Sequence, residues 1–531
     1  MPPGKIGTIQ KEDYSNITEY ILNFSDIESD NNKDWVSFSD PSSIDKPDER
    51  KSLFENRVIK NFDDISDQDI NYPKENDWTS WRRTPLGFGY SPLKQINKEN
   101  VQKLKLSWSL TMNEGSNQGT PLISQGVMFL THPGNMIQAL NAANGKLMWE
   151  YKYPYPKDSM LLGGPTKNIA IYKDKVYMAT YDAALIALDI RTGKLLWKNI
   201  KADYKDGYTH SSGPIIANGV VISGINGCER YIEDGCFITG HDPDSGKELW
   251  RTSTVALSGD INGSSWGNTP DIFRAGSDTW IAGSYDPELN IFYIGTSQAK
   301  PWVAASRGMS PNDKALYTNS TLAMNPQTGK ILWFFQHIQG ETIDMEVGFE
   351  RILADVDDKK LLLTIGKDGI LWKLDREKGN FIDLKETINQ NIYKKVDRNK
   401  GKVVYRDDIL LSKIDTPFSA CPGIYGGHNW QAVSYDPESY LMVIPLHQLC
   451  ADMIGRYVER KEGGGGYGAN SRNYKMDNTN GNVGKLVTID IKNMEKIWQY
   501  EQNAMFLTGS LSTAGGLTFI GDLDRKFMAF D

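Results

Sequence analysis

The chain has 531 residues, with 59 Lys and Arg against 67 Asp and Glu and a formal charge of -8. A mildly acidic balance offers no basic field to a nucleic acid or an anionic membrane surface, so neither is expected as a partner. No run of eighteen apolar residues occurs, which argues against a transmembrane helix.

The 14 Trp, 25 Tyr and 49 Gly favour pleated strands and tight turns over helices, and an all-β chain is expected. At the start, Met1-Pro2-Pro3-Gly4 leads into polar sequence without the apolar core of a signal peptide, so no export signal is visible. Residues 1–75 read as an acidic N-terminal extension: Asp, Asn, Ser and Lys dominate, and apolar clusters such as Tyr20-Ile21-Leu22 are too short to form a core. From 76 to 531 the texture changes to short β-branched and aromatic runs, such as Gly126 to Leu130, Val176 to Ala179 and Ile291 to Ile294, broken by Gly, Asn and Asp.

Within that domain a repeat emerges. Asn141, Gly145 and Trp149 are spaced by four and four, and the spacing returns at Asp189, Gly193, Trp197, at Asp242, Gly246, Trp250 and at Asn325, Gly329, Trp333. Degenerate copies follow at Asp375 with Gly379, at Asp436, at Asp490 with Trp498, where Met494 replaces the Gly, and at Ala529-Phe530-Asp531, making eight units. Each reads as strand, turn with Gly at its tip, and strand carrying an inward Trp. Units about fifty residues apart, each with several short strands, predict an eight-bladed β-propeller whose last blade is incomplete. The repeat tryptophans would specify packing between blades; function must come from the loops at the channel mouth.

The four cysteines, Cys228, Cys236, Cys421 and Cys450, form no C-x-x-C or C-x-x-C-H pattern, which argues against covalent haem and a thiolate zinc site. Two disulfides would fit an oxidising compartment, and buried free thiols fit equally well.

The tryptophan-docking turns, together with Tyr90-Ser91-Pro92-Leu93 leading to Trp108 and a set of loop motifs, resemble the quinoprotein methanol and ethanol dehydrogenases, which depend on pyrroloquinoline quinone (PQQ). The likeness runs from about Asp77 to Asp531. Asn226-Gly227-Cys228-Glu229 is similar to the segment whose Glu binds the metal, and the resemblance makes Glu229 a ligand. Gly295-Thr296-Ser297-Gln298 resembles the segment with an Asn ligand, here replaced by Gln298 on a longer arm. Ile343-Asp344-Met345-Glu346 resembles the catalytic segment, which makes Asp344 the general base and a ligand. An acid two positions later, here Glu346, resembles the lanthanide-dependent branch, so the ion is Ca2+ or a lanthanide.

By the same resemblance Trp280 stacks under the quinone, Lys367 in Gly366-Lys367-Asp368-Gly369 stabilises charge on its reactive oxygens, and Asn429 contacts it. More loosely, Gln118, Lys167, Ser211 and Asn226 match positions that bind the cofactor's carboxylates and polar groups. The resemblance also implies a Cys421 to Cys450 bridge, while Cys228 and Cys236 are extra and could brace the Glu229 loop. Departures are equally plain: the family's adjacent cysteine pair is replaced by Leu161-Leu162-Gly163-Gly164, a Trp is replaced by Leu507, and the family continues beyond Asp531.

What the resemblance implies is periplasmic oxidation of a small alcohol to an aldehyde or ketone, with electrons passed to a separate c-type cytochrome; a homodimeric state stays open. Two other readings compete: a non-catalytic propeller scaffold that binds other proteins, and a degenerate homologue that binds PQQ but turns over slowly. Retention of Glu229, Gln298, Asp344, Trp280, Lys367 and Asn429 together favours the enzyme.

Overall fold

In the computed structural model, which describes residues 57–310 and 312–531, the β-branched and aromatic runs form short strands, and helices are few and no longer than five residues. The first four-stranded sheet joins Leu122–Ser124, Val127–His132, Met136–Asn141 and Leu147–Lys152 as an antiparallel meander. Equivalent sheets lie at 170–200, 215–253, 284–336, 352–386 and 434–502. In the seventh, the strands at 511–530 take Tyr90–Ser91 as a parallel partner, with Tyr90 opposite Ser512.

Eight units were expected, and the described residues form seven four-stranded sheets. The correction has a specific cause. The Tyr435-Asp436-Pro437 turn joins the first two strands of the sheet whose last hairpin carries Asp490. A three-stranded excursion of Pro417–Ala420, Leu449–Gly455 and Ala469–Lys475 lies largely inside that sheet's sequence and stretches one sheet to the length of two units.

The repeat has a common geometry. In six sheets the register shifts two residues before the turn Asn or Asp, as at Ala187/Leu188 ahead of Asp189, a bulge that re-aims the strand carrying the Trp. The Trp of each of the first four sheets then lies over the turn of the following sheet. Trp149 Nε1 donates to Ile190 O at 3.0 Å, Trp197 to Pro243 O at 3.2 Å and Trp250 to Pro326 O at 2.9 Å. Trp108, ahead of the first sheet, donates to Ala142 O at 3.2 Å. Gly193 sits at φ 70°, and a methyl there would lie 2.6 Å from the Trp149 ring, so both the left-handed turn and the stacked indole require glycine.

Apolar side chains from neighbouring sheets share cores; one cluster joins Ile352, Leu361 and Leu371 of the fifth sheet to Tyr435, Ile444 and Val487 of the sixth. Of the expected extension over residues 1–75, residues 1–56 lie outside the described residues. Residues 57–75 run across the first two sheets, with Ile59, Phe62, Ile65 and Ile70 buried in their core and Ile65 bridged to Lys173. Both cysteine pairs, Cys228–Cys236 and Cys421–Cys450, are disulfides.

Candidate active site

In a four-stranded antiparallel meander, the link into the first strand and the link between the second and third strands lie at the same end, opposite the docking turns. Glu229, Gln298 and Lys367 lie on links between second and third strands; Lys167, Ser211, Trp280 and Asp344 lie on links into first strands. Strand topology alone therefore gathers loops distant in sequence at one mouth. There they enclose a cavity of about 430 Å³, within the range of roughly 300–1,000 Å³ usual for small-molecule sites.

Every predicted site residue except Asn429 lines this cavity. Asp344, Glu346 and Lys367 form its charged floor: Lys367 Nζ is 2.9 Å from Asp344 Oδ2 and 2.7 Å from Glu346 Oε1, all three side chains being buried. Glu346 Oε2 accepts from Trp280 Nε1 at 3.0 Å, and Asp344 Oδ1 accepts from the Gln298 amide. Burial pushes the Asp344 carboxyl up to about 7, with Lys367 opposing and Glu346 reinforcing the shift. Burial acts to lower Lys367, but Asp344 and Glu346 outweigh it and hold the ammonium above its ordinary range.

Asp344 adopts φ 72°, a left-handed conformation rarely taken by a non-glycine residue. Buried Glu341 sustains it. Its Oε1 accepts the backbone N–H groups of Ile343 at 2.6 Å and Met345 at 2.8 Å, one on each side of Asp344.

Across the cavity stands a second acidic group. Glu229 Oε1 is 4.0 Å from Lys300 Nζ, and Asp278 accepts from Gly227 N at 3.1 Å and Cys228 N at 3.3 Å, so one buried carboxylate holds the loop that presents Glu229. Burial and then Glu229 push the Asp278 carboxyl up to about 7. Burial acts to lower Lys300, and Glu229, Asp344 and Asp278 together hold it above its usual value. Gln298 Oε1 is buried without a hydrogen-bond partner. A partnerless amide oxygen beside carboxylates is the donor set a hard cation takes, so the residues fit such an ion. Both oxygens of Asp344 are engaged, by Gln298 and Lys367, and both of Glu346, by Lys367 and Trp280, so either acid would exchange a partner for the ion.

The remaining wall suits a flat anion. Lys167 Nζ lies 5.0 Å over the Trp280 ring, and burial lowers the lysine to about 7 against the pull of Glu346. Ser211 Oγ and N both donate to Asn226 Oδ1, at 3.3 and 3.1 Å. Gln118, Leu162, Pro165 and Trp430 complete the lining. Asn429 stands apart: its Nδ2 donates to Tyr425 O at 2.8 Å and its Oδ1 accepts from Trp430 N at 2.9 Å, so both ends of the amide brace its own turn. Trp430 faces the cavity in its place.

The sequence reading gives no site role to Asp278, Lys300, Trp302 and Trp430, and treats the Gly463–Tyr467 loop as one that sets the pocket without placing it. Lys300 and Trp302 follow directly on the Gly295–Gln298 motif. Asp278 stands two residues before Trp280, which was the available signal. Tyr467 stacks on Trp302 with ring centroids 4.7 Å apart, and nothing local in the sequence announces that contact.

The family model described as "Glucose/ethanol/alcohol dehydrogenase, beta-propeller domain", within the PQQ group, matches residues 78–391. The chain is 30% identical over 487 residues to the quinohemoprotein alcohol dehydrogenase ADH-IIG of Pseudomonas putida, covering 85% of this chain and 67% of that protein. It is 29% identical to the quinoprotein alcohol dehydrogenase PedH of Pseudomonas putida, over 84% of this chain and 78% of that one. Among solved structures, a europium-containing methanol dehydrogenase superposes with a TM-score of 0.79 at 25% identity, covering 86% of this chain and 84% of that one.

Proposed function

The chain belongs to the PQQ-dependent alcohol dehydrogenases, and from that premise we propose that its cavity binds PQQ with one Ca2+ or lanthanide ion and oxidises a small alcohol to the aldehyde or ketone. When bound, PQQ supplies the acceptor for the hydride leaving the alcohol carbon, and the ion supplies a Lewis acid.

The protein's own residues do the rest. Asp344, buried in the cavity with its carboxyl raised above the ordinary range, is the general base that would take the hydroxyl proton. Lys367 pairs with both Asp344 and Glu346 and holds them in place, and would present an N–H to the cofactor's reactive oxygens. Trp280 provides the flat apolar face, and Lys167, Ser211, Asn226 and Gln118 meet the polar rim. Glu229, the free Gln298 Oε1, Asp344 and Glu346 would hold the ion.

The observation that carries this reading is the convergence of Glu229, Gln298, Asp344, Trp280 and Lys367 on one cavity. A scaffold that only binds proteins has no use for four carboxylates facing three buried lysines there. Two disulfides suit the periplasm, and the electrons would pass on to a separate c-type cytochrome. The test is dye-linked alcohol oxidation after reconstitution with PQQ and either Ca2+ or La3+. Turnover that Asp344→Asn abolishes supports the reading; no turnover with either ion contradicts it.

A further inference from the structure

The ion-binding side of the cavity already contains a cation of its own. Lys300 is 5% exposed, and its Nζ lies 4.0 Å from Glu229 Oε1. Its position is fixed by the short strand Ala299–Lys300, where Lys300 pairs with Ala275, and by Gln298, whose carbonyl receives Ser277 N at 3.0 Å. Lys300 thus faces the same carboxylate, Glu229, that an incoming ion would use, two residues from the partnerless amide oxygen of Gln298. On its other side the ammonium is 4.7 Å from the centroid of the Tyr467 ring and 5.3 Å from that of Trp302, the two rings being stacked. Aromatic faces attract an ammonium, so Lys300 rests between Glu229 and the two rings.

We propose that Lys300 is a built-in counter-ion that competes with the metal: it neutralises Glu229 and Asp278 before an ion binds, and is left to the Trp302–Tyr467 pair it already touches when an ion takes the carboxylate. The inference rests on the reading that this site holds an ion. It adds that the site's affinity is set against an internal positive charge, so that the metal-free protein keeps its mouth intact and small changes at position 300 retune the ion. A buried acidic pair left without any cation would be costly, and the lysine removes that cost in the empty state.

The test uses the full-length chain, freed of metal with a chelator and without PQQ, titrated with Tb3+ while tryptophan-sensitised luminescence is followed. Lys300→Met keeps the aliphatic stem and removes the charge; Lys300→Arg keeps the charge. The expected result is Tb3+ binding about tenfold tighter in Lys300→Met than in the wild type, the scale expected when a like charge a few ångströms from the ion is removed, with Lys300→Arg close to wild type. Chelator should also lower the melting temperature of Lys300→Met by more than it lowers that of the wild type. Lys300→Gln replaces Lys300→Met if the latter does not fold. Equal or weaker Tb3+ binding in the uncharged variants overturns the proposal, as does absence of Tb3+ binding to every protein. Failure of alcohol oxidation alone strikes the dehydrogenase reading and leaves this comparison standing.

Discussion

Asp344 and Lys367 meet at 2.9 Å inside the cavity, and the same ammonium reaches Glu346 at 2.7 Å, so a single lysine is the counter-charge of both acids on the catalytic loop. Removing the base and removing its cation should therefore have different signatures. Asp344→Asn is expected to lower kcat by about 10³-fold, within the range for a general base, with little change in stability. Lys367→Met should lower kcat and also destabilise the fold by about 3 kcal/mol, because it strands two buried carboxylates. Steady-state rates and thermal melts on both variants check this.

Lys167 sits near half-protonation at neutral pH because burial lowers it to about 7. A bound tricarboxylate favours the charged form. Quinone binding at about pH 8 should therefore take up close to one proton, and binding at about pH 6 almost none. Calorimetry in buffers of different ionisation enthalpy reads the uptake directly, and Lys167→Met should abolish it.

Asp278 is raised to about 7 in the folded protein from an ordinary value of 3.8. A raised folded-state pKa gives a contribution that is fully present below the unfolded value and is lost as pH rises through the folded value. Metal-free Asp278→Asn should thus match the wild type near about pH 4, gain on it progressively as the pH rises to about 7, by on the order of 2 kcal/mol, and hold that gain above it. Denaturant melts of the two proteins across pH give the difference. An unchanging difference would contradict the assignment.

Glu341 positions Asp344 by receiving the N–H groups on either side of it. Glu341→Gln keeps an acceptor oxygen, and Glu341→Ala strands two buried donors, at about 1–3 kcal/mol each. The Gln variant is expected to retain most activity, and the Ala variant to lose kcat with a smaller change in KM, since the base rather than the binding wall is displaced.

Much of the site was legible because its residues sit in local motifs on loops, and a local motif survives reading in one dimension. Glu229, Gln298, Asp344 and Lys367 were found that way. Their convergence follows from meander topology, which places all their loops at one end. Blade count was harder. The spacing between Asp436 and Asp490 equals that of a blade, yet both turns belong to one sheet, and only strand pairing reveals the inserted strands that fill the interval. Tyr467 and Lys300 were beyond reach for the related reason that their partners, Trp302 and Glu229, come from other loops. Asn429 shows the converse: its motif was matched, while its amide is spent on its own turn.

The central claim is tested most directly by loading the purified, metal-supplied chain with PQQ, adding an alcohol without oxygen or dye, and following the quinone spectrum. The account predicts one PQQ per chain, reduced within a single turnover by the wild type, and bound but left oxidised by Asp344→Asn. Failure of the wild type to bind PQQ, or reduction that proceeds equally in Asp344→Asn, would contradict it.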